Sequence, residues 1–184
     1  MSIGGEKMRQ NKKNVSPMSN EGRNLYVIEH ITESLLTLLE DKAIEDISIS
    51  ELCDNAGIGR ASFYRNYNSK EDILKAYINK LFHGWKSDWE KNNSIPLSSA
   101  IGMIFEHFEQ HRAFYHLLNE RHLIYLLKDV ILDTMGLKPD LPKGEAYAKA
   151  FAAYSLYGWI EVWFQRGMQE SAEEMKKLFQ NQGL

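Results

Sequence analysis

One cysteine, four prolines and no long apolar run in 184 residues each close a class of protein. A lone thiol, Cys53, cannot make an internal disulfide, so no disulfide framework holds this fold and a reducing cytoplasm suits it. Cys53 lies in an amphipathic stretch and reads as a small buried hydrophobe, with a thiol sensor as the alternative. The most apolar segment, between Lys149 and Glu161, falls well short of the roughly 20 residues that span a bilayer. The start is polar, with Lys7, Arg9, Lys12 and Lys13 and no apolar stretch behind them, so no signal peptide is expected. There is no G-x-S-x-G, no P-loop and no dinucleotide fingerprint, and Cys53 has no persuasive catalytic partner. An enzyme is therefore not expected, and no cofactor is implied. Strand-like alternation, internal repeats and low-complexity tracts are also missing. What remains is 43% hydrophobic residues, enough for a sizeable core, and the expectation of an all-α protein.

What is present centres on residues 48–70, SISELCDNAGIGRASFYRNYNSK. Ser48 precedes Ile49 and stands three residues before Glu51, which is the spacing of a capping box. Leu52 and Ala56 recur four residues apart and give one apolar stripe. Gly57 can take the left-handed conformation that ends a helix, because it has no Cβ. Ile58 is apolar inside the turn. A second short helix is expected from about Gly59 to Tyr67, with Phe63 and Tyr67 inward. Ser69 and Asp72 repeat the capping pattern and open a third helix. From Asn55 to Lys70 no acidic residue occurs, while Arg60, Arg65 and Lys70 are cationic. A window of one sign in a chain of net charge −3 suits a phosphate backbone, because local charge matters more than the sum.

The run AGIGRASFYRNYNSKEDIL resembles the signature of the tetracycline-repressor (TetR/AcrR) family, and the likeness extends from Asn24 to about Phe82. Where that family often has Ser or Thr at the turn-to-helix junction, this chain has Gly59, which bears on one cap and one phosphate contact. The resemblance implies an N-terminal three-helix DNA-binding domain of helix-turn-helix type and a C-terminal helical ligand-binding and dimerisation domain. On this reading Arg60 contacts a guanine, Ala61 and Ser62 touch a thymine methyl or a base edge, and Ser48, Tyr64, Asn66 and Lys70 hold phosphates. Arg65 serves either purpose, and Gly59 lies at the same surface.

The rest of the chain reads as helix. Residues 1–22 are polar and are expected to form a flexible tail, either simply solvated or reaching a minor groove through Lys12 and Lys13. Asn24–Glu40 carries Leu25, Ile28, Ile31, Leu35, Leu38 and Leu39 at helical spacing. Lys70–Glu90 places Ile73, Leu74, Tyr77, Leu81 and Trp85 inward. The expected division is 23–82 for DNA binding and 83–184 for sensing and dimerisation, with a joint at Asn92–Pro96. Further helices are expected near 97–111, 112–119, 121–134, 145–168 and 171–182, with a loop at 136–144.

Two constellations stand out in the second half. His107 and His111 share a helix face, but HFEQH is not H-E-x-x-H, and a metal would need a third ligand such as His116 or His122, so no metal site is assigned. Phe105, Phe108, Tyr125, Tyr154, Tyr157 and Trp159, with His107 and His111 as polar contacts, either line a pocket for a small-molecule effector or fill a core. YGWIEVWFQRGMQESAEEM resembles the end of a shorter subtype of the same family. That likeness implies a homodimer through the last two helices, with Trp159, Trp163 and Phe164 as interface anchors or as core. Two functions stay open. One is a ligand-responsive repressor that binds a pseudo-palindromic operator in double-stranded DNA as a dimer. The other is a ligand-independent DNA-binding factor of the same fold. For the first, a ligand would act by swinging the 70–90 helix, with Trp85 and Trp89 near the pocket.

Overall fold

The computed structural model describes residues 19–90 and 97–181, and side chains within 19–84 and 102–181. The expected tail up to Met18, the joint at Asn92–Pro96 and the indoles of Trp85 and Trp89 lie outside what is described. Among the described residues all regular structure is helical. The helices are α1 (Asn20–Asp41), α2 (Ile49–Ala56), α3 (Arg60–Asn66), α4 (Lys70–Glu90), α5 (Leu97–Gln110), α6 (Arg112–Glu120), α7 (Leu126–Thr134), α8 (Lys143–Gln165) and α9 (Ala172–Gln180). A 3₁₀ turn at Ile44–Asp46 links α1 to α2. The chain forms two units, Met1–Leu74 and Lys75–Leu184, so the division falls inside α4 rather than after Phe82. The reason is aromatic packing: Tyr77 meets Phe114 edge-on, and Phe82 meets His107 and Phe108. Those rings tie α4 beyond Leu74 to the second unit.

In the first unit α1 begins at Asn20, four residues ahead of the expected Asn24, and so takes in the end of the supposed tail. Ser19 supplies the cause: its Oγ accepts from the Gly22 N–H at 2.9 Å. Ile31, Leu35 and Leu39 are fully buried and pack α1 on α2 and α3. Leu25, expected in the same stripe, is 43% exposed, because the first turns of α1 run past the core. Two buried hydroxyls find acceptors: Thr32 donates to the Ile28 carbonyl at 2.7 Å and Ser34 to the Leu52 carbonyl at 3.4 Å. Gly57 ends α2 at φ 64° and ψ 31°, in the left-handed region. Phe63 is buried without residual exposure and fastens α3 to that core; truncating such a side chain to Ala costs about 3–5 kcal/mol.

In the second unit α5 lies along α9, so closely that a Cβ on Gly102 would come within 2.8 Å of the Lys176 side chain. Phe105, Phe108, Tyr115, Trp163 and Phe164 form an aromatic core joined by edge-on contacts. α7 starts at Leu126 rather than Arg121, because His122 turns left-handed at φ 57° and the Leu123 N–H closes back on the Leu118 carbonyl at 2.7 Å. α8 ends at Gln165 and not Met168, since Gly167 and Met168 both take positive φ. The Arg112 guanidinium donates to both of their carbonyls, at 3.2 and 2.7 Å, and so ties α6 to the turn that follows α8. α9 opens with the expected capping box of Ser171 and Glu174. No described helix is long and apolar enough to cross a membrane.

Candidate functional site

α3 presents one polar face to solvent. Phe63 and Tyr67 are buried beneath it, and Arg60, Ala61, Tyr64 and Arg65 are exposed. Positions i, i+1, i+4 and i+5 share a side of a helix, so these four form one surface. Ser62 is half-buried at its edge. Tyr64, 59% exposed, stands edge-on to Phe63 and so has an anchored ring with its hydroxyl outward. Arg60 donates to Ser50 Oγ of α2 at 3.3 Å, which holds the guanidinium over the start of that helix. Gly59 caps α3 with no side-chain hydrogen bond, leaving its first-turn N–H groups without a side-chain partner.

The expected phosphate contacts divide into two kinds. Ser48 is exposed and its Oγ accepts from the Glu51 N–H at 3.1 Å, so the hydroxyl proton stays available to a phosphate oxygen. The Lys42 ammonium, with the Ser48 N–H, holds the Glu51 carboxyl below the usual carboxylate range. Lys70 differs from the expectation. Its ammonium donates to the carbonyls of Ile44 and Ile47, which commits two of about three donors to the turn ahead of α2. It works as a bolt under the helix-turn-helix, because the 3₁₀ turn leaves those carbonyls pointing at it. Asn66 likewise turns its amide N–H back to the Ser62 carbonyl at 2.8 Å. Cys53 is buried, and that burial pushes its thiol up, with the Asp54 charge adding. Few of its molecules carry the reactive thiolate.

The aromatic candidates of the second unit differ in burial. Phe105 and Phe108 are fully buried. His107 is buried and its Nε2 meets the Tyr115 hydroxyl at 2.9 Å. Burial, helped by nearby His111, pushes the His107 pKa down to about 3, so the ring is neutral near pH 7. His111 stands 4.9 Å from it, ring to ring. Tyr125 and Tyr154 lie on the surface, 55% and 49% exposed. Tyr157 is half-buried and donates to Glu161 at 3.3 Å, while Trp159 packs edge-on against Phe179 of α9. Trp163 and Phe164, expected as interface anchors or as core, are 1% exposed within their own protomer and are core.

A surface of which the sequence reading singled out only Tyr154 lies on α8. Tyr147, Phe151, Tyr154 and Val162 are 71%, 62%, 49% and 53% exposed. Their spacing of four, three and eight places them on one side at about 100° per residue. The core stripe of Ala153, Leu156, Ile160, Trp163 and Phe164 occupies the opposite side. A helix apolar on two faces was the available signal, since only one face of it can be buried within its own unit.

Residues 31–77 match the family model described as bacterial regulatory proteins, tetR family, and residues 97–182 match one described as a transcriptional regulator C-terminal region. Between them the two models cover more than half of the chain. YxbF of Bacillus subtilis, an uncharacterised HTH-type transcriptional regulator, is 25% identical over 117 residues, 59% of this chain and 31% of its own length. EthR of Mycobacterium tuberculosis, an HTH-type transcriptional regulator, is 30% identical over 84 residues, 41% of this chain and 39% of its own. These alignments span well under half the length of either relative. Among solved structures, Lin0861 from Listeria innocua matches over 94% of both chains, with a TM-score of 0.72 at 15% identity. A TetR transcriptional regulator from Streptococcus agalactiae matches over 86% of this chain and 94% of its own, with a TM-score of 0.59 at 19% identity. At such identities the likeness is one of fold.

Proposed function

Because the chain belongs to the tetR family of bacterial regulatory proteins, DNA-binding regulators of transcription, we propose that it acts as a repressor that occupies a pseudo-palindromic operator as a homodimer. The observation that carries this reading is the exposed face of α3, where Arg60, Ala61, Tyr64 and Arg65 stand in a stretch without a carboxylate. Arg60 suits bidentate pairing with a guanine edge, Ala61 and Ser62 suit thymine methyl and base edges, and Tyr64 and Ser48 suit phosphates. Arg65 lies at the same surface. The apolar face of α8 supports the dimer, because covering it with a second copy removes Phe151 and its neighbours from water. A two-fold dimer carries two copies of α3, which two half-sites roughly 34 Å apart would receive.

A small-molecule effector of the second unit is the further part of the reading. The other possibility is a DNA-binding factor that senses nothing, in which Phe105 and Phe108 serve only as core. Native mass spectrometry of the purified protein separates them: a retained or binding small molecule supports the sensor. The DNA reading is tested by selecting bound genomic fragments at stated salt and repeating the selection with Arg60→Ala. That change is expected to cost about 1–3 kcal/mol and to relax one base position. Unchanged affinity and base preference would mean that this face of α3 does not read the operator.

A further inference from the structure

Beside α3 the first unit has an open cleft of about 430 Å³, between the early turns of α1 and the turn of the helix-turn-helix. Arg23 and Tyr26 line it from α1, residues 57–59 from the turn, and Ser62 from α3. It is therefore continuous with the polar face of α3, since Ser62 belongs to both. Arg23 is exposed and is the one charged side chain among its lining residues; no carboxylate borders it. Tyr26 is 51% exposed, and its ring lies stacked on His30 with centroids 3.7 Å apart and planes 26° from parallel. The same imidazole bonds the Tyr26 carbonyl at 2.9 Å, so the phenol is braced from below rather than swinging. Gly57 and Gly59 both have open space where a Cβ would stand, so a bulky chain can approach the turn closely.

We propose that this cleft seats the sugar–phosphate backbone of the operator beside the bases that α3 reads. Arg23 pairs with a phosphate, and the Tyr26 hydroxyl donates to a phosphate oxygen. The inference rests on the reading of α3 as the DNA-facing helix, and it adds α1 to the contact surface. Charge selects this occupant over the chain's own first 18 residues. That segment carries Lys7, Arg9, Lys12 and Lys13 against Glu6, and so repels Arg23, whereas a phosphodiester attracts it.

The test measures affinity over a salt series for the full chain on two duplexes, one recovered by selection of genomic fragments and one of random sequence. Arg23→Ala is expected to weaken both by about tenfold and to flatten the salt slope by about one unit, with base preference unchanged. Tyr26→Phe is expected to weaken both by a smaller factor. Since both side chains are exposed, thermal unfolding should not move. If Arg23→Ala and Tyr26→Phe leave affinity and slope intact while Arg60→Ala weakens binding, the cleft does not hold DNA and the α3 reading survives. If Arg60→Ala has no effect but Arg23→Ala flattens the slope, the cleft holds DNA and the base-reading role of Arg60 falls alone. If removing residues 1–18 abolishes the Arg23→Ala effect, the tail is the occupant and the proposal is overturned.

Discussion

Tyr64 on α3 and Phe151 on α8 are almost equally exposed, 59% and 62%, yet they stand in opposite company. Around Tyr64 are Arg60 and Arg65, with a phenol hydroxyl that can bond a phosphate oxygen. Around Phe151 are Tyr147 and Tyr154 on the same side of the helix. An exposed ring among cations suits a wet, charged partner whose grip weakens with salt. An exposed ring in an apolar stripe suits a dry one, since a contiguous apolar patch marks a surface that something covers. Exposure alone therefore does not separate the two surfaces; the neighbours one helical turn away do.

The largest effect should come from a ring that is not exposed at all. Trp163→Ala removes a side chain that is 1% exposed, meets Phe105 edge-on and donates from its indole N–H to the Glu170 carbonyl at 3.0 Å. A loss of about 3–5 kcal/mol of folding stability is expected, read as a lowered unfolding midpoint. Phe151→Asp, on the opposite side of α8, should leave the fold of the protomer intact. It should instead weaken self-association by about 2–4 kcal/mol in sedimentation runs, as a hot-spot residue does. The comparison breaks if Phe151→Asp lowers the midpoint as far as Trp163→Ala, or if it leaves the association constant untouched.

The intermediate effect concerns Lys70, where charge and packing compete. With its ammonium on the Ile44 and Ile47 carbonyls, Lys70→Met should cost about 1.5–3 kcal/mol of stability, the range for hydrogen bonds to charged groups. The salt slope of DNA binding should stay where it was. A slope flattened by about one unit with the midpoint unmoved would return Lys70 to the phosphates.

These contrasts also mark what could be read in advance. The helix-turn-helix was legible almost to the residue, because local signals set it: Ser48 as cap, Gly57 as left-handed stop, Phe63 as the inward ring of α3. α2 spans Ile49–Ala56 as the Leu52 and Ala56 stripe requires. The second unit was harder. Its helices were legible from periodicity, but Trp163 and Phe164 at 1% exposure and Phe151 at 62% carry the same kind of side chain on one helix. Which face turns inward depends on α5, α6 and α7, not on α8 itself. The carbonyl bonds of Lys70 were hidden for a related reason. A lysine at a helix start in a basic window looks like a phosphate ligand until the carbonyls of a 3₁₀ turn, 23 and 26 residues earlier, come within its reach.

The smallest effect tests the junction at which α3 begins without a side-chain cap. Gly59 precedes α3 with φ −76° and ψ 145°, an extended conformation open to any residue, and a Cβ there meets nothing within 4 Å. Glycine is therefore not required by backbone strain, unlike Gly57 two residues earlier at φ 64°. Gly59→Ser places a hydroxyl where it can accept from a first-turn N–H of α3, and the gain over glycine at a cap is a few tenths of a kcal/mol. Gly57→Ala forces a Cβ into the left-handed region and should cost about 1–2 kcal/mol. The two glycines thus predict midpoints that move in opposite directions. In DNA binding, Gly59→Ser adds a hydroxyl at the edge of the α3 face, so affinity should hold or rise slightly for every sequence alike, with base preference unaltered. A serine that lowered stability would mean that the backbone at 59 uses a conformation other than the extended one. A serine that lowered affinity without touching stability would mean that DNA comes close enough to the turn for the added side chain to obstruct it.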